Sequence, residues 1–373
     1  MTQSPARKTT VARRTIRKPL PPEKLVDFRK GEVEPGDPTE DLALNAEMRW
    51  EMMAAAGYLT PIDRFFVRNH APTPRIDPAS WRLRVEGPGV KRPIELGYDD
   101  LTRLPSVSVV RALECAGNGR VFFEERQGQE APGTPWRLGA IGVAKWTGVP
   151  LREILERAGL KETAREVMPE GLDAVKMRRP LPLWKALEGD TILAVGMNGQ
   201  LLPSDHGFPA RVVVPGWAAV ASVKWVGRLL VSDGPLYSPW NTAKYVMTGG
   251  TWGSRRKPVA AQVPKSALEL PWPATLRCGR QTVTGRSWSA GAAIMRVEYA
   301  VDGDTQWRPA QLFGTNLPGA WARWRFDWQA QPGWHELRVR TTDVAGNVQP
   351  ETAPWNELGY MYGGVVGHPV EVL

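Results

Sequence analysis

The second half of the chain alternates strictly in polarity, most clearly in the stretch from Ala322 to Trp328, ARWRFDW. Successive side chains of a strand point to opposite faces, so this pattern predicts a strand with one buried and one solvent-facing side. Met295–Val301 alternates in the same way before an Asp302-Gly303 turn, and Leu337 and Val339 continue the pattern. Several such strands with turns between them, and no helical stretch, predict a β-sandwich after about residue 250.

Tryptophan is concentrated in this half of the chain. Nine of the 17 tryptophans lie from Trp252 onward. Some fill the core of the sandwich, and the surplus predicts a buried interface as well.

Before residue 250, helical and strand patterns alternate. Pro150 opens a segment with apolar residues at helical spacing that Gly159 closes, which predicts a short helix. Trp81–Glu86 alternates with period two, and Arg211–Val214 is an apolar run stopped by a Pro-Gly turn. We therefore predict an α+β protein, in which a mixed α and β domain over residues 46–250 precedes the sandwich over residues 251–373.

The composition is that of a globular protein of 373 residues with a net charge of +9. Its basic residues are dispersed among acids and form no nucleic-acid motif, so we expect no nucleic-acid partner. No run approaches the roughly 18 apolar residues of a membrane span. Residues 1–45 are predicted to be a basic N-terminal arm, in which polar residues follow Arg13-Arg14 instead of an apolar signal region. Two cysteines in a chain of this length fit a reducing compartment, so we expect a cytoplasmic protein.

Cys115 lies in the run RALECAGNGR, residues 111–120, and the other cysteine, Cys278, is 163 positions away. Two cysteines so far apart predict neither a disulfide framework nor a zinc site. A thiol in a glycine-rich turn near the guanidinium of Arg120 is expected to favour thiolate, which is a soft metal ligand and a good nucleophile. A free cysteine is equally often a small buried apolar residue, and this run alone leaves both interpretations open.

Polar residues of the first half form three further groups. They are Arg68-Asn69-His70, His206 with Arg211, and Ser222-Val223-Lys224. Taken singly, each is compatible with a loop contact or a solvated side chain. Together they supply cationic donors and amide-rich turns for a large anionic ligand that bears phosphate. No Gly-x-Gly-x-x-Gly or Walker-type lysine loop occurs, which excludes the usual Rossmann and P-loop sites.

Nine motifs in chain order together resemble the sulfite oxidase family of molybdenum enzymes, over roughly residues 55 to 370. They are Phe65–His70 (FFVRNH), Glu114–Arg120 (ECAGNGR), Trp136 with Gly139–Gly142 (GAIG), Trp146–Val149 (WTGV), Asp205–Pro209 (DHGFP), Val212–Gly216 (VVVPG), Ser222–Trp225 (SVKW), Gln349-Pro350 and Trp355-Asn356.

The resemblance implies a domain that holds a molybdenum–molybdopterin cofactor, followed by an immunoglobulin-like domain that makes a homodimer. Cys115 would be the protein's only bond to molybdenum, where soft sulfur suits a metal that cycles through two electrons. Arg68 and Arg120 would be catalytic residues that bind a small anionic substrate, and Trp136 would form an aromatic wall. The residues implied to hold the cofactor are Phe66, Val67, Arg68, Asn69, His70, Cys115, Asp173, His206, Arg211, Ser222, Val223 and Lys224.

Two positions depart from the family's pattern. Val195 stands where a tyrosine is expected before the Asn198-Gly199 turn, and Leu358 or Glu357 stands where an arginine is expected after Trp355-Asn356. We expect the pocket to lose a hydroxyl and a positive charge, each worth about 1–3 kcal/mol in binding or transition-state contact.

Three functions remain open. The first is a molybdenum oxidoreductase acting on sulfite or a similar small oxyanion. The second is a molybdenum reductase of a sulfoxide or another oxo compound, and the third is a non-enzymatic dimeric scaffold. The sequence has no Cys-x-x-Cys-His for covalent haem, so we expect electrons to pass to oxygen or to a separate redox protein.

Overall fold

The computed structural model describes residues 23–28 and 43–373. The strands before residue 260 are β1 (Leu25–Asp27), β2 (Asn45–Met48), β3 (Val67–Arg68), β4 (Arg82–Glu86), β5 (Ile94–Gly97), β6 (Val107–Glu114), β7 (Ile141–Pro150), β8 (Glu166–Gly171), β9 (Leu181–Pro182), β10 (Ile192–Met197), β11 (Gln200–Leu201), β12 (Arg211–Val213), β13 (Val226–Ser232), β14 (Val246–Met247) and β15 (Lys257–Pro258). The α-helices are α1 (Tyr98–Arg103), α2 (Val121–Gln127), α3 (Leu151–Ala158), α4 (Leu183–Ala186) and α5 (Pro239–Thr242). Short 3-10 helices cover Trp50–Met53, Ile62–Arg64, Ser204–His206, Ala219–Ala221 and Gly250–Trp252.

Two five-stranded sheets form the centre of the first domain. One has the order β11-β10-β7-β6 with β12 also paired to β10, and the other has the order β5-β4-β13-β8-β9. Strands β4 and β13 run parallel, and the other pairs in these sheets are antiparallel. The first domain thus contains both helices and mostly antiparallel β-sheets, as the sequence predicts.

The local predictions for the first domain agree with the structure. Leu151, Ile154 and Leu155 of α3 are fully buried, and Gly159 ends the helix with a φ of 70°. In β4, Leu83 and Val85 face the core, while Arg82 and Arg84 are exposed. A buried apolar stripe on each element therefore packs it onto the same core.

The predicted N-terminal arm lies mostly outside the described residues, as does Arg13-Arg14. Within the described part, β1 pairs antiparallel with β2, and β2 pairs with β3, which makes a small three-stranded sheet. Leu25 is buried in a cluster with Leu44 and Val67. No helix in residues 23–28 and 43–373 is long and apolar enough to cross a membrane.

The second domain is one curled sheet of eight strands, in agreement with the predicted immunoglobulin-like sandwich. Its strands are β16 (Lys265–Leu268), β17 (Ala274–Leu276), β18 (Gly279–Trp288), β19 (Ile294–Val301), β20 (Arg308–Asn316), β21 (Trp321–Ala330), β22 (Gly333–Asp343) and β23 (Gly367–Val372). Their order is β16-β18-β21-β20-β19-β22-β23-β17. Strand β20 pairs with both β19 and β21, so it links the two layers of the sandwich.

The alternation in ARWRFDW places its apolar side chains inside. Trp324, Phe326 and Trp328 are buried between the layers, while Arg325 and Asp327 are exposed. In β19 the prediction is wrong at one position, because Met295 is 49% exposed and Ile294 is buried in its place. The pairing of β19 with β22 shifts register between Ile294 and Arg296, and this irregularity moves the apolar face by one residue.

The surplus tryptophans form an interface between the two domains. Trp288 and Trp321 of the second domain are fully buried and pack against Trp50 of the first, with ring centroids 5.9 and 6.1 Å apart. The buried interface predicted from the tryptophan count is therefore found within one chain.

Candidate active site

A pocket of about 690 Å³, including its open mouth, lies in the first domain. Five stretches of chain that are distant in sequence supply its walls. They are residues 65–70 around β3, the end of β6 with the turn after it, the loop after β8, residues 206–225 around β12, and Tyr245.

Cys115 lies at the bottom of this pocket, directly after the last residue of β6. Its backbone N–H donates to the carbonyl of Ala140 at 2.9 Å, and its carbonyl accepts from the N–H of Asn118 at 3.0 Å. These bonds hold the cysteine in a closed turn at the end of a central strand. Both Cys115 and Cys278 are free thiols, and Cys278 is exposed elsewhere.

The sequence predicts that nearby guanidinium groups favour the thiolate form of Cys115. This prediction is wrong for the protein without a bound metal. Arg68 and Arg120 do lower the pKa of the thiol, but burial raises it by more, so the pKa is above its ordinary value. Burial removes water from the charged form, and this cost exceeds the attraction of the two cations. A thiolate here therefore needs further positive charge, which a bound metal ion supplies.

Two buried cations also line the pocket. Arg211 donates to the carbonyls of His206 and Ser222, at 3.1 and 3.0 Å, but its buried Nε has no acceptor among the described residues. Burial lowers the pKa of Arg211 to about 9. Lys224 donates to the carbonyl of Asp205 at 2.9 Å and to the side chain of Asn69. Burial, and then the charge of Arg211, hold the pKa of Lys224 well below its usual range.

Buried cations are costly unless an anion compensates them. Arg211 and Lys224 face the pocket with their charge only partly offset by nearby protein groups, so a phosphate group fits there. A soft thiol and two buried cations that line one pocket fit a molybdopterin, which carries a metal and a phosphate group. The residues present therefore fit the cofactor that the sequence resemblance implies.

Hydrogen bonds fix the remaining walls. Asn69 donates to Thr73 Oγ1 at 3.0 Å, and Thr73 donates to Asp205 at 2.6 Å. Asp173 accepts from the N–H of Met177 at 2.8 Å, and burial raises the pKa of its carboxyl. The ring of His206 packs edge-on against Phe65 with centroids 5.4 Å apart. The pocket walls are thus held in place by the protein's own contacts.

All twelve residues predicted to hold the cofactor line this one pocket. Arg120 lies next to it, close enough to Cys115 to affect the pKa of the thiol. Trp136 is different: it is buried edge-on against Phe28, with centroids 5.0 Å apart, and is not among the lining residues. The structure therefore offers no support for Trp136 as an aromatic wall.

Tyr245 is the residue that the sequence reasoning missed. It lines the pocket, and its hydroxyl lies 2.8 Å from Nε2 of His70. Its φ of 53° is in the left-handed region, where a bulky residue costs of order 1–2 kcal/mol, as is common at functional sites. Tyr245 stands in a short irregular segment without periodicity, so no local pattern indicates its position.

The expected loss of a hydroxyl at Val195 is therefore wrong. Val195 lies at a register shift of β10, where its carbonyl accepts from the N–H of Leu202, and it does not line the pocket. Tyr245 supplies the hydroxyl instead. Burial raises the pKa of Tyr245, so the phenol stays protonated and able to donate.

The second domain completes the site beside Cys115. Tyr360 stacks on Tyr245 with centroids 5.0 Å apart, and the guanidinium carbon of Arg120 lies 5.3 Å from the centre of the Tyr360 ring. The N–H of Met361 donates to the carbonyl of Ala116 at 2.7 Å. Leu358 is half-buried and Glu357 is exposed, so this segment adds aromatic surface and no positive charge.

Comparison with known proteins agrees with this architecture. Residues 70–240 match the oxidoreductase molybdopterin binding domain, and residues 264–365 match the Mo-co oxidoreductase dimerisation domain. The chain is 38% identical to the sulfite oxidase of Gallus gallus over 342 residues, which cover 85% of this chain and 74% of that protein. The chain belongs to the sulfite oxidase family.

This sulfite oxidase family member is also similar to enzymes with other names. It is 31% identical to the NADH nitrate reductase of Ulva prolifera, over 81% of this chain and 39% of that protein. The crystal structure of the sulfane dehydrogenase SoxCD from Paracoccus pantotrophus matches with a TM-score of 0.82 at 28% identity, over 94% of this chain and 90% of that one. The chain spans 62% of the length of the mouse and human sulfite oxidases.

The family establishes the broad activity. The protein is a molybdopterin-dependent oxidoreductase, and its cofactor is the molybdenum cofactor. Membership in a family of enzymes removes the support for a purely structural scaffold.

Proposed function

We propose that the enzyme oxidises a small sulfur oxyanion of the sulfite type. The observation that supports this most is a group of hydrogen-bond donors near Cys115, namely Arg68, Arg120 and Tyr245. Arg68 and Arg120 are close enough to lower the pKa of the Cys115 thiol, and both also act on the pKa of Tyr245. Guanidinium groups donate in pairs with fixed geometry, which suits a trigonal or tetrahedral oxyanion. Relatives named sulfite oxidase and sulfane dehydrogenase are consistent with a sulfur substrate.

In this proposal Cys115 holds the molybdenum, and the rest of the pocket holds the pterin. Arg211, Lys224 and the Ser222-Val223 backbone bind the phosphate end, because buried cations there need an anion. Residues Phe66–His70, Asp173 and His206 contact the ring system from the facing walls. When bound, the cofactor supplies an oxygen atom for transfer and accepts two electrons.

The protein's own residues bind and orient the substrate. Arg68 and Arg120 attract the anion and turn its lone pair toward the metal site. The protonated hydroxyl of Tyr245 donates a charge-assisted hydrogen bond to a substrate oxygen and so holds the anion in the orientation that oxygen transfer needs. Tyr360 covers one side and excludes water, which strengthens the electrostatic contacts.

A homodimer assembled through the second domain is part of the proposal, supported by the match to a dimerisation domain. Oxygen or a separate redox protein is the proposed electron acceptor. The cytoplasmic location inferred from the sequence stays a prediction.

The alternative is a reductase of a sulfoxide or another oxo compound. It is favoured by the aromatic ring of Tyr360, which stacks on Tyr245, adds no charge and suits a less charged substrate. The similarity to nitrate reductases is compatible with catalysis in this direction.

A substrate panel on molybdenum-loaded, full-length protein tests the proposal. We expect about one molybdenum per chain and sulfite-dependent reduction of an artificial acceptor. Arg120→Met should raise the KM for sulfite by about ten-fold or more, the effect of losing one charged contact of about 1.5–3 kcal/mol. Arg126→Met is the matched control, because Arg126 pairs with Glu336 at the surface, 2.7 Å away. Loaded protein that reduces a sulfoxide or nitrate and does not oxidise sulfite would support the alternative.

A further inference from the structure

A buried ion pair joins the two domains next to Cys115. Glu114 is the last residue of β6, directly before the cysteine, and Lys265 is the first residue of β16 in the second domain. Lys265 Nζ lies 2.7 Å from Glu114 Oε1, and both side chains are only 2% exposed. The second domain thus places a charged group at the base of the cysteine turn.

The same ammonium group also holds the far end of that turn. Lys265 Nζ donates to the carbonyl of Asn118 at 2.9 Å, and Asn118 Nδ2 donates to Glu114 Oε1 at 2.9 Å. The side-chain oxygen of Asn118 accepts from the N–H of Ala140 at 3.0 Å. Both residues that flank the turn, Glu114 and Asn118, are therefore fixed by one side chain from the other domain.

Stability alone does not account for this arrangement. Replacing a buried ion pair by apolar residues is often neutral or stabilising, because removing two charges from water is costly. An apolar pair would not hold the carbonyl of Asn118, so what the ion pair adds is a fixed turn geometry. Sub-ångström placement of a reacting group has large effects on catalytic rate.

A second buried ion pair, within the second domain where it meets the first, provides a natural comparison. Arg286 lies 2.6 Å from Glu269, with side chains 0% and 2% exposed. Arg286 also donates to the carbonyls of Met53, Gly57 and Tyr58 in the first domain. It joins the same two domains but makes no hydrogen bond to the cysteine turn.

We propose that Lys265 is a positioning residue, which fixes the place of the Cys115 sulfur through Glu114 and Asn118. The second domain then sets the geometry of the proposed metal ligand, in addition to any part it has in dimer formation. The inference rests on the proposed role of Cys115.

The test compares two charge-removing double variants of the full-length, molybdenum-loaded protein. The first variant, Glu114→Gln with Lys265→Met, removes the ion pair at the turn and leaves no unpaired buried charge. The comparison variant, Glu269→Gln with Arg286→Met, does the same at the second ion pair. The first should speed amide hydrogen exchange of residues 115–120 by about ten-fold. It should also lower kcat by about ten-fold while the KM for sulfite changes by less than about two-fold. The comparison variant should alter neither exchange in this turn nor kcat, whatever its melting temperature.

Lys265→Arg covers the case in which the double variant does not fold. It keeps the charge, but a planar guanidinium cannot reproduce both bonds of the ammonium group, so a smaller loss of kcat is expected. Exchange and kcat like those of the comparison variant would overturn the proposal, and so would faster exchange with unchanged kcat. The exchange measurement does not depend on metal ligation. Near-native turnover by Cys115→Ser would therefore contradict the proposed function and leave the exchange result intact.

Discussion

Replacing Tyr245 by phenylalanine tests the part of the site that the sequence did not reveal. The change removes one hydroxyl from the pocket and keeps the ring, including its stacking on Tyr360 at 5.0 Å. The hydroxyl also bonds His70 Nε2 at 2.8 Å, and because burial lowers the pKa of His70 well below its usual range, that partner is neutral. Losing a neutral hydrogen bond costs about 1 kcal/mol of stability, so the variant should fold.

The expected kinetic effect is larger than the effect on stability. A hydrogen bond to a charged group contributes about 1.5–3 kcal/mol, which corresponds to a loss of kcat/KM for sulfite of about 10- to 150-fold. If the hydroxyl of Tyr245 binds the transition state more strongly than the bound substrate, most of this loss appears in kcat.

Steady-state kinetics on molybdenum-loaded protein, with metal content determined for each sample, measure this effect. The matched control is Tyr299→Phe, since Tyr299 packs in the sandwich core and its hydroxyl lies 3.5 Å from the carbonyl of Asp327. The control should leave kcat/KM unchanged. Equal kcat/KM for Tyr245→Phe and the wild type, at equal metal content, would refute the role of this hydroxyl.

Three further predictions concern the thiol and one cation of the pocket and one departure from the family pattern. Cys115→Ser should leave a folded protein without turnover, because a hydroxyl is a poor ligand for a soft site; near-native activity at equal molybdenum content would contradict this. Arg211→Met should abolish cofactor retention yet raise the stability of the cofactor-free protein, because it removes a buried cation whose charge the protein only partly compensates. Cofactor retention by Arg211→Met equal to that of the wild type, or a lower melting temperature of its cofactor-free form, would count against this. Val195→Tyr should leave the kcat and KM for sulfite unchanged because Val195 does not line the pocket, and a clear change in either constant would show that position 195 reaches the substrate.

The sequence by itself determined the elements whose pattern is local. Alternation in ARWRFDW gave the buried face of β21, and apolar spacing after Pro150 gave α3, because pleat and helix periods are properties of neighbouring residues. The motif around Cys115 and the basic groups of the first domain also pointed to one anionic pocket. A thiol binds soft metals and basic side chains bind phosphate, so these residue types indicate the ligand before the fold is known.

Only the tertiary structure decided how distant segments combine. It placed Tyr245 in the pocket wall and Tyr360 against Tyr245, where no periodic signal marks either residue, and it showed that Val195 does not line the pocket. It also reversed the expected shift of the Cys115 pKa, because the cost of burial depends on everything that excludes water from the thiol. Contacts such as that of Lys265 with Glu114 join residues far apart in the chain, and they form only when two domains pack together.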